Sequence, residues 1–294
     1  MRTAIVTDSN SGIFEAEGQR LGVHVVPMPV EFHGMTYYEG RNITHEEFFH
    51  YLAGHGKIST SQPALSEVLT LWDRLLEDYD ELVYIPMSSG LSGSCQTASA
   101  LAQEYDGRVQ VVDNHRISVT QRHAVLDAAA LREQGYSACR IREILEETAY
   151  HSLIYVGVNT MEYLKASGRV TPAAAALGTV LNMKPLLVIR GERLEAYTKI
   201  RGTKNCQRRL IGTMREYADN LRKEEKVLRI GAAGSFLNTE DAACWEAMVR
   251  EAFPEDEVHY DPLTFSVACH VGPDAFGMGI SGTAIKKMNK GEFV

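Results

Sequence analysis

The segment between residues 82 and 112 constrains the fold of this chain more than any other. Residues 82–85 are an apolar run of strand length, and residues 87–94 are a polar loop of serines and glycines. A helical stretch continues through Tyr105, and 109–112 is a second β-branched run. Strand, loop, helix and strand in that order form a right-handed crossover unit, the building block of parallel sheets covered by helices.

The same alternation runs along the rest of the chain. Residues 3–7 read as a buried strand that ends in the turn Asp8-Ser9-Asn10-Ser11-Gly12. Residues 23–32 are apolar, but Pro27 and Pro29 place them at a sheet edge or in an extended segment. Over 61–78, Leu65, Val68, Leu69, Trp72, Leu75 and Leu76 share one helical face, with Pro63 suited to the first turn. Helices are expected at 118–134 and 138–150, a strand at 153–158 and an Ala-rich helix at 171–181. Strands at 186–189 and 194–199 form a hairpin that turns at Arg190-Gly191-Glu192. Then come a helix at 203–223, a strand at 227–233 and a helix at 239–253. Three short strands at 258–261, 265–268 and 275–280 close the pattern. This is an α/β protein. At 294 residues it is long enough for two domains, with a boundary expected near residue 150.

Several function classes are set aside by charge and spacing. A net charge of −8 disfavours nucleic acid, and the basic runs 201–209 and 286–290 read as short solvated faces. No apolar run approaches the roughly 20 residues that cross a bilayer. Asp8 stands where a secretory signal would be apolar, so the expected compartment is the cytoplasm. Cys95, Cys139, Cys206, Cys244 and Cys269 are widely spaced and form no Cys-x-x-Cys pair, so reduced thiols are expected. The histidines show no ligand spacing, and neither a metal nor a cofactor is expected.

The loop 88–94 carries the chemistry. It lies at the carboxyl end of a strand and the amino end of a helix, where open α/β sheets bind ligands and free N–H groups favour an anion. Gly90 and Gly93 permit close backbone approach, and Ser88, Ser89, Ser92 and Ser94 add hydroxyls. The same serines would serve equally as a helix cap and turn. Gly90-Leu91-Ser92-Gly93 nearly matches a hydrolase elbow, but Ser94 replaces the final glycine. Thr60-Ser61-Gln62-Pro63 is a second polar cluster before a helix, and His270 follows the expected strand at 265–268.

Five segments in register resemble the DegV family, which includes the fatty-acid-binding subunits of bacterial fatty acid kinases. They are Ile5-Val6-Thr7-Asp8-Ser9, Thr60-Ser61-Gln62-Pro63, Ser88-Ser89-Gly90-Leu91-Ser92-Gly93-Ser94-x-Gln96, Lys199-x-Arg201-Gly202 and His270-x-Gly272-Pro273. They span residues 3 to about 280. The resemblance implies two domains. Residues 1–150 would form an α/β/α three-layer domain with a mostly parallel sheet, and 151–294 a second α/β domain with a mixed sheet. It also implies one acyl chain buried between them, with the carboxylate held by Thr60 and Ser92. Ser61, Gly93 and His270 would lie beside the head group, and Arg201 would engage a kinase partner. Met183, Leu186, Ile189, Phe265 and Phe276 are candidates for the acyl tunnel or for ordinary core.

The chain departs from the family pattern at Lys165-Ala166-Ser167-Gly168-Arg169, where Lys-Gly-Gly-Arg is usual, and at Asp274, where Gly is usual. A carboxylate at 274 must point away if an anion binds nearby. The expected protein is thus a carrier of a long-chain fatty acid such as palmitate or oleate, not an enzyme, that presents its ligand to a separate kinase. The rivals are a serine hydrolase of acyl esters using Ser92 and His270, with Asp8 or Asp113 as the acid, and a sensor of a phosphorylated metabolite.

Overall fold

A computed structural model describes residues 1–54, 56–176, 182–283 and 285. Its strands are, in chain order, β1 (Thr3–Asp8), β2 (Val23–Val26), β3 (Pro29–Phe32), β4 (Met35–Tyr38), β5 (Ser59–Thr60), β6 (Glu81–Ile85) and β7 (Val109–Val111). These are followed by β8 (Ser152–Gly157), β9 (Met183–Ile189), β10 (Glu195–Arg201), β11 (Val227–Gly234), β12 (Val258–Pro262) and β13 (Phe276–Thr283).

The first sheet runs β2-β1-β6-β7, every neighbour parallel. Its central strands are buried on both faces, as parallel sheets require. Ile5, Val83 and Ile85 pack on the helices Ser118–Glu133 and Ala138–Glu147. Ala4, Val6, Leu82 and Tyr84 alternate with them and meet the helices Leu65–Asp78 and Ser94–Leu101 on the other side. This gives three layers, α/β/α.

The second sheet is mixed, in the order β10-β9-β8-β13-β11-β12, antiparallel throughout except for the β11–β12 pair. One face carries Tyr155, Phe276, Met278 and Ile280 against the helices Thr203–Lys223 and Thr239–Ala252. The opposite face of β13 is glycine at 277 and 279. A Cβ at Gly279 would lie 2.7 Å from both Val119 Cγ2 and Thr120 Cγ2. Glycine there lets the helix Ser118–Glu133 press on the second sheet while its other side packs on the first. That helix is therefore buried nearly all round, with polar Gln121, His123 and Asp127 among its buried residues.

A small antiparallel sheet, β4-β3-β5, pairs Val30 with Thr60. The expected extended run at 23–32 is thus two strands broken at Pro27-Met28, and only the first is a sheet edge. Thr60 belongs to β5, so the following helix starts at Leu65 and Pro63 lies before it. The helix expected to reach residue 150 ends at Glu147. The expected strand at 265–268 is a helix, Phe265–Val271. Its apolar run was too short to show a period, and it is seeded by extended Thr264 and by the Glu39 carboxylate, which accepts the Phe265 N–H at 2.7 Å. Of the expected helix at 171–181, Pro172–Ala175 is helical, whereas 177–181 and the basic run 286–290 lie outside the described residues. Sequence periodicity also passed over the helix His45–Ala53, although its capping box, Thr44 with Glu47, is a local signal.

Candidate functional site

Three polar segments from distant parts of the chain meet at one cavity of about 570 Å³. Thr60 and Ser61 arrive from the end of β5, Ser92 and Gly93 from the loop after β6, and His270 from the last turn of the helix Phe265–Val271. Thr60 Oγ1 and His270 Nε2 are 3.1 Å apart, a hydrogen bond whose direction depends on the imidazole tautomer. Ser92 Oγ accepts the Ser94 N–H at 3.2 Å, which leaves its own proton to offer an acceptor.

The four loop serines have separate duties. Ser88 Oγ donates to the Gly191 carbonyl and accepts the Gly90 N–H, so it ties the β9–β10 turn to the loop. The Ser89 N–H donates to Asp113 at 3.3 Å. Ser94 is buried inside the helix start. Only Ser92 of the four lines the cavity. Gly90 is required by the neighbouring turn: a Cβ there would stand 2.8 Å from Glu192 Cα.

Burial, and secondarily the Arg169 guanidinium, lower His270 to about 4. The imidazole is therefore neutral at pH 7. Because its folded value lies below the unfolded 6.5, its contribution to stability is complete above about pH 6.5 and is lost as pH falls toward 4. Relative to a His270→Gln variant, the wild type is expected to lose about 3 kcal/mol of unfolding free energy between pH 7 and pH 4. Denaturant unfolding of both proteins across that range checks it; parallel profiles would contradict the buried neutral state.

This arrangement does not assemble a serine hydrolase. The hydroxyl partner of His270 is Thr60. Asp8 accepts from Met87, Asn10 and Gln121, and Asp113 from Ser89. An imidazole lowered to about 4 is also a poor general base at neutral pH.

The remaining wall mixes charge with apolar surface. Arg169 and Arg193 line the cavity, and neither was selected from sequence as a site residue. Arg169 comes from the departing segment 165–169, where Gly168, at φ +69°, ends the helix Glu162–Ser167 and turns the chain inward. Asp274 faces elsewhere: its Oδ1 accepts the Leu237 N–H at 3.1 Å. The apolar wall comes from Ile117 and Val119, from Ile154 and Val156 on β8, and from Leu263 and Val267. Of the five tunnel candidates only Ile189 lines the cavity. Phe265 instead stacks on Phe48 at 4.0 Å, and Leu186 and Phe276 are buried on the opposite face of the second sheet. Met183, at the start of β9, is not among the described lining residues.

Arg201 ends β10, exposed and away from the cavity lining, and leads into exposed Lys204, Arg208 and Arg209. Burial pushes the thiols of Cys95 and Cys269 up to about 12, so both are unreactive at neutral pH. Among the described residues, no group of three or more His, Cys, Asp and Glu could hold a metal ion, and no helix is long and apolar enough to cross a membrane.

Comparison with known proteins places the chain in a family and a fold. A family model described as an uncharacterised protein of the DegV family matches residues 2–283. A DegV domain-containing protein of Deinococcus radiodurans is 34% identical over 285 residues, covering 95% of this chain and 98% of that protein. A DegV family protein from Thermus thermophilus, whose structure is described in terms of fatty acid binding, has a TM-score of 0.86 at 32% identity, covering 96% of this chain and 100% of its own. DegV of Bacillus subtilis, described as a fatty acid binding protein, has a TM-score of 0.82 at 26% identity, with 96% and 100% covered. With sequence and fold agreeing over nearly its whole length, the chain belongs to the DegV family.

Proposed function

We propose that this protein binds one long-chain fatty acid, such as palmitate or oleate, and carries it without transforming it. The observation that supports this reading is the composition of one cavity, whose wall brings hydroxyls, a neutral imidazole and two arginines together with a large share of apolar side chains. Thr60 and Ser92 donate to the carboxylate in this reading, with Ser61, Gly93 and His270 alongside. Arg169 and Arg193 supply positive potential without a buried ion pair. Each methylene removed from water contributes about 0.8 kcal/mol, so the tail accounts for most of the affinity before the entropic cost of association. The solved DegV relatives described as fatty-acid-binding favour the same ligand class.

In this proposal the loops of residues 1–150 hold the head group, and residues 151–294 contribute much of the wall around the tail. The carrier presents its carboxylate to a separate kinase, which docks on the exposed basic surface that begins at Arg201. Native mass spectrometry of protein purified from its own cells tests the ligand. A co-purifying mass equal to a C16 or C18 fatty acid is expected. A sugar phosphate or nucleotide in its place would overturn the reading.

A further inference from the structure

Behind the head-group end lies a buried acid that touches none of the ligand-facing hydroxyls. Asp8 ends β1 and is fully buried. Its Oδ2 accepts the Met87 N–H at 2.8 Å, and its Oδ1 accepts the Asn10 N–H and Gln121 Nε2, each at 3.0 Å. Two arms leave this point. Met87 opens the loop that delivers Ser92, and the Ser92 N–H returns to the Ser88 carbonyl at 3.1 Å. Asn10 lines the cavity, donates from Nδ2 to Met87 Sδ at 3.0 Å, and accepts from Ser266 Oγ. Ser266 lies on the helix that carries His270, one turn away.

We infer that Asp8 is the positioning residue of the head-group site, holding the Ser92 loop directly and the His270 helix through Asn10 and Ser266. One carboxylate thereby sets the separation of two walls that come from distant parts of the chain. The inference rests on the fatty-acid reading above and deepens it. Burial raises the Asp8 carboxyl to about 6, against the hydrogen bonds from Met87, Gln121 and Asn10 that lower it, so at pH 7 the group is ionised and purely an acceptor. Both oxygens face N–H donors. An amide in its place must turn its own NH2 toward one of them, whichever way it flips.

The test is binding of palmitate and of hexadecanol to wild type and to Asp8→Asn. Hexadecanol has the same number of carbons but no carboxylate. Asp8→Asn is expected to bind palmitate on the order of tenfold more weakly, with hexadecanol changed less than about twofold. Equal palmitate affinity, or an equal loss for both ligands, overturns the positioning role and leaves the fatty-acid reading intact. A wild type that binds no palmitate removes the fatty-acid reading and this inference with it. Should Asp8→Asn fail to fold, Ser266→Ala, which cuts the arm to the His270 helix along with a contact to Thr264, is expected to lose about threefold for palmitate alone. Unchanged palmitate affinity in that variant overturns the proposal.

Discussion

Thr60→Ala combined with Ser92→Ala is expected to leave a folded protein whose palmitate affinity is lower by about two to four orders of magnitude. Each hydroxyl in the proposed complex donates to a charged oxygen, a bond worth about 1.5–3 kcal/mol, and the carboxylate left behind is shielded from water by the cavity wall. Both side chains are only partly buried and neither sits in a core cluster, so the unfolding midpoint should move little. Loss of Thr60 also frees His270 Nε2, which makes that single variant the more damaging of the two. Isothermal titration with palmitate, beside denaturant unfolding, separates the two effects. A well-folded double variant with wild-type affinity would remove Thr60 and Ser92 from the site.

Trp245→Ala is expected to have the largest effect on stability, a loss of about 3–5 kcal/mol. Trp245 is fully buried between the helix Thr239–Ala252 and the second sheet, with its ring 5.4 Å from that of Phe276. Its Nε1 also donates to the Gly277 carbonyl at 3.1 Å. The truncation therefore opens a cavity and removes a buried hydrogen bond in one step. Gly277 contributes to the ligand cavity from the other face of the same strand, so a looser β13 should also weaken palmitate binding at temperatures where the protein is still folded. Urea unfolding measures the first effect, and a change below 1 kcal/mol would show that the helix and sheet repack without the indole.

Much of this fold was legible locally. The crossover around residue 88, the hairpin of β9 and β10 and the helix Thr203–Lys223 follow from period and turn chemistry, which act over a few residues. The helix Phe265–Val271 was not legible, because seven apolar-rich residues fit a buried strand as well as a helix. Its form depends on Glu39, 226 positions away, meeting its first free N–H. Arg169 was visible only as a departure from a family pattern, and its place on the cavity wall depends on the turn at Gly168.

The residues by themselves determined an alternating α/β chain, two hydroxyl-bearing loops at strand ends and membership of a family, since all three are properties of short segments in order. The resemblance already implied that Thr60, Ser92 and His270 lie together, but tertiary structure alone decided that Thr60 and His270 hydrogen-bond directly across 210 positions, that Ser88 is spent on the Gly191 carbonyl, and that the apolar wall is drawn from several separate elements. It also decided the protonation of His270, because desolvation is set by what packs around a group and not by its neighbours in sequence.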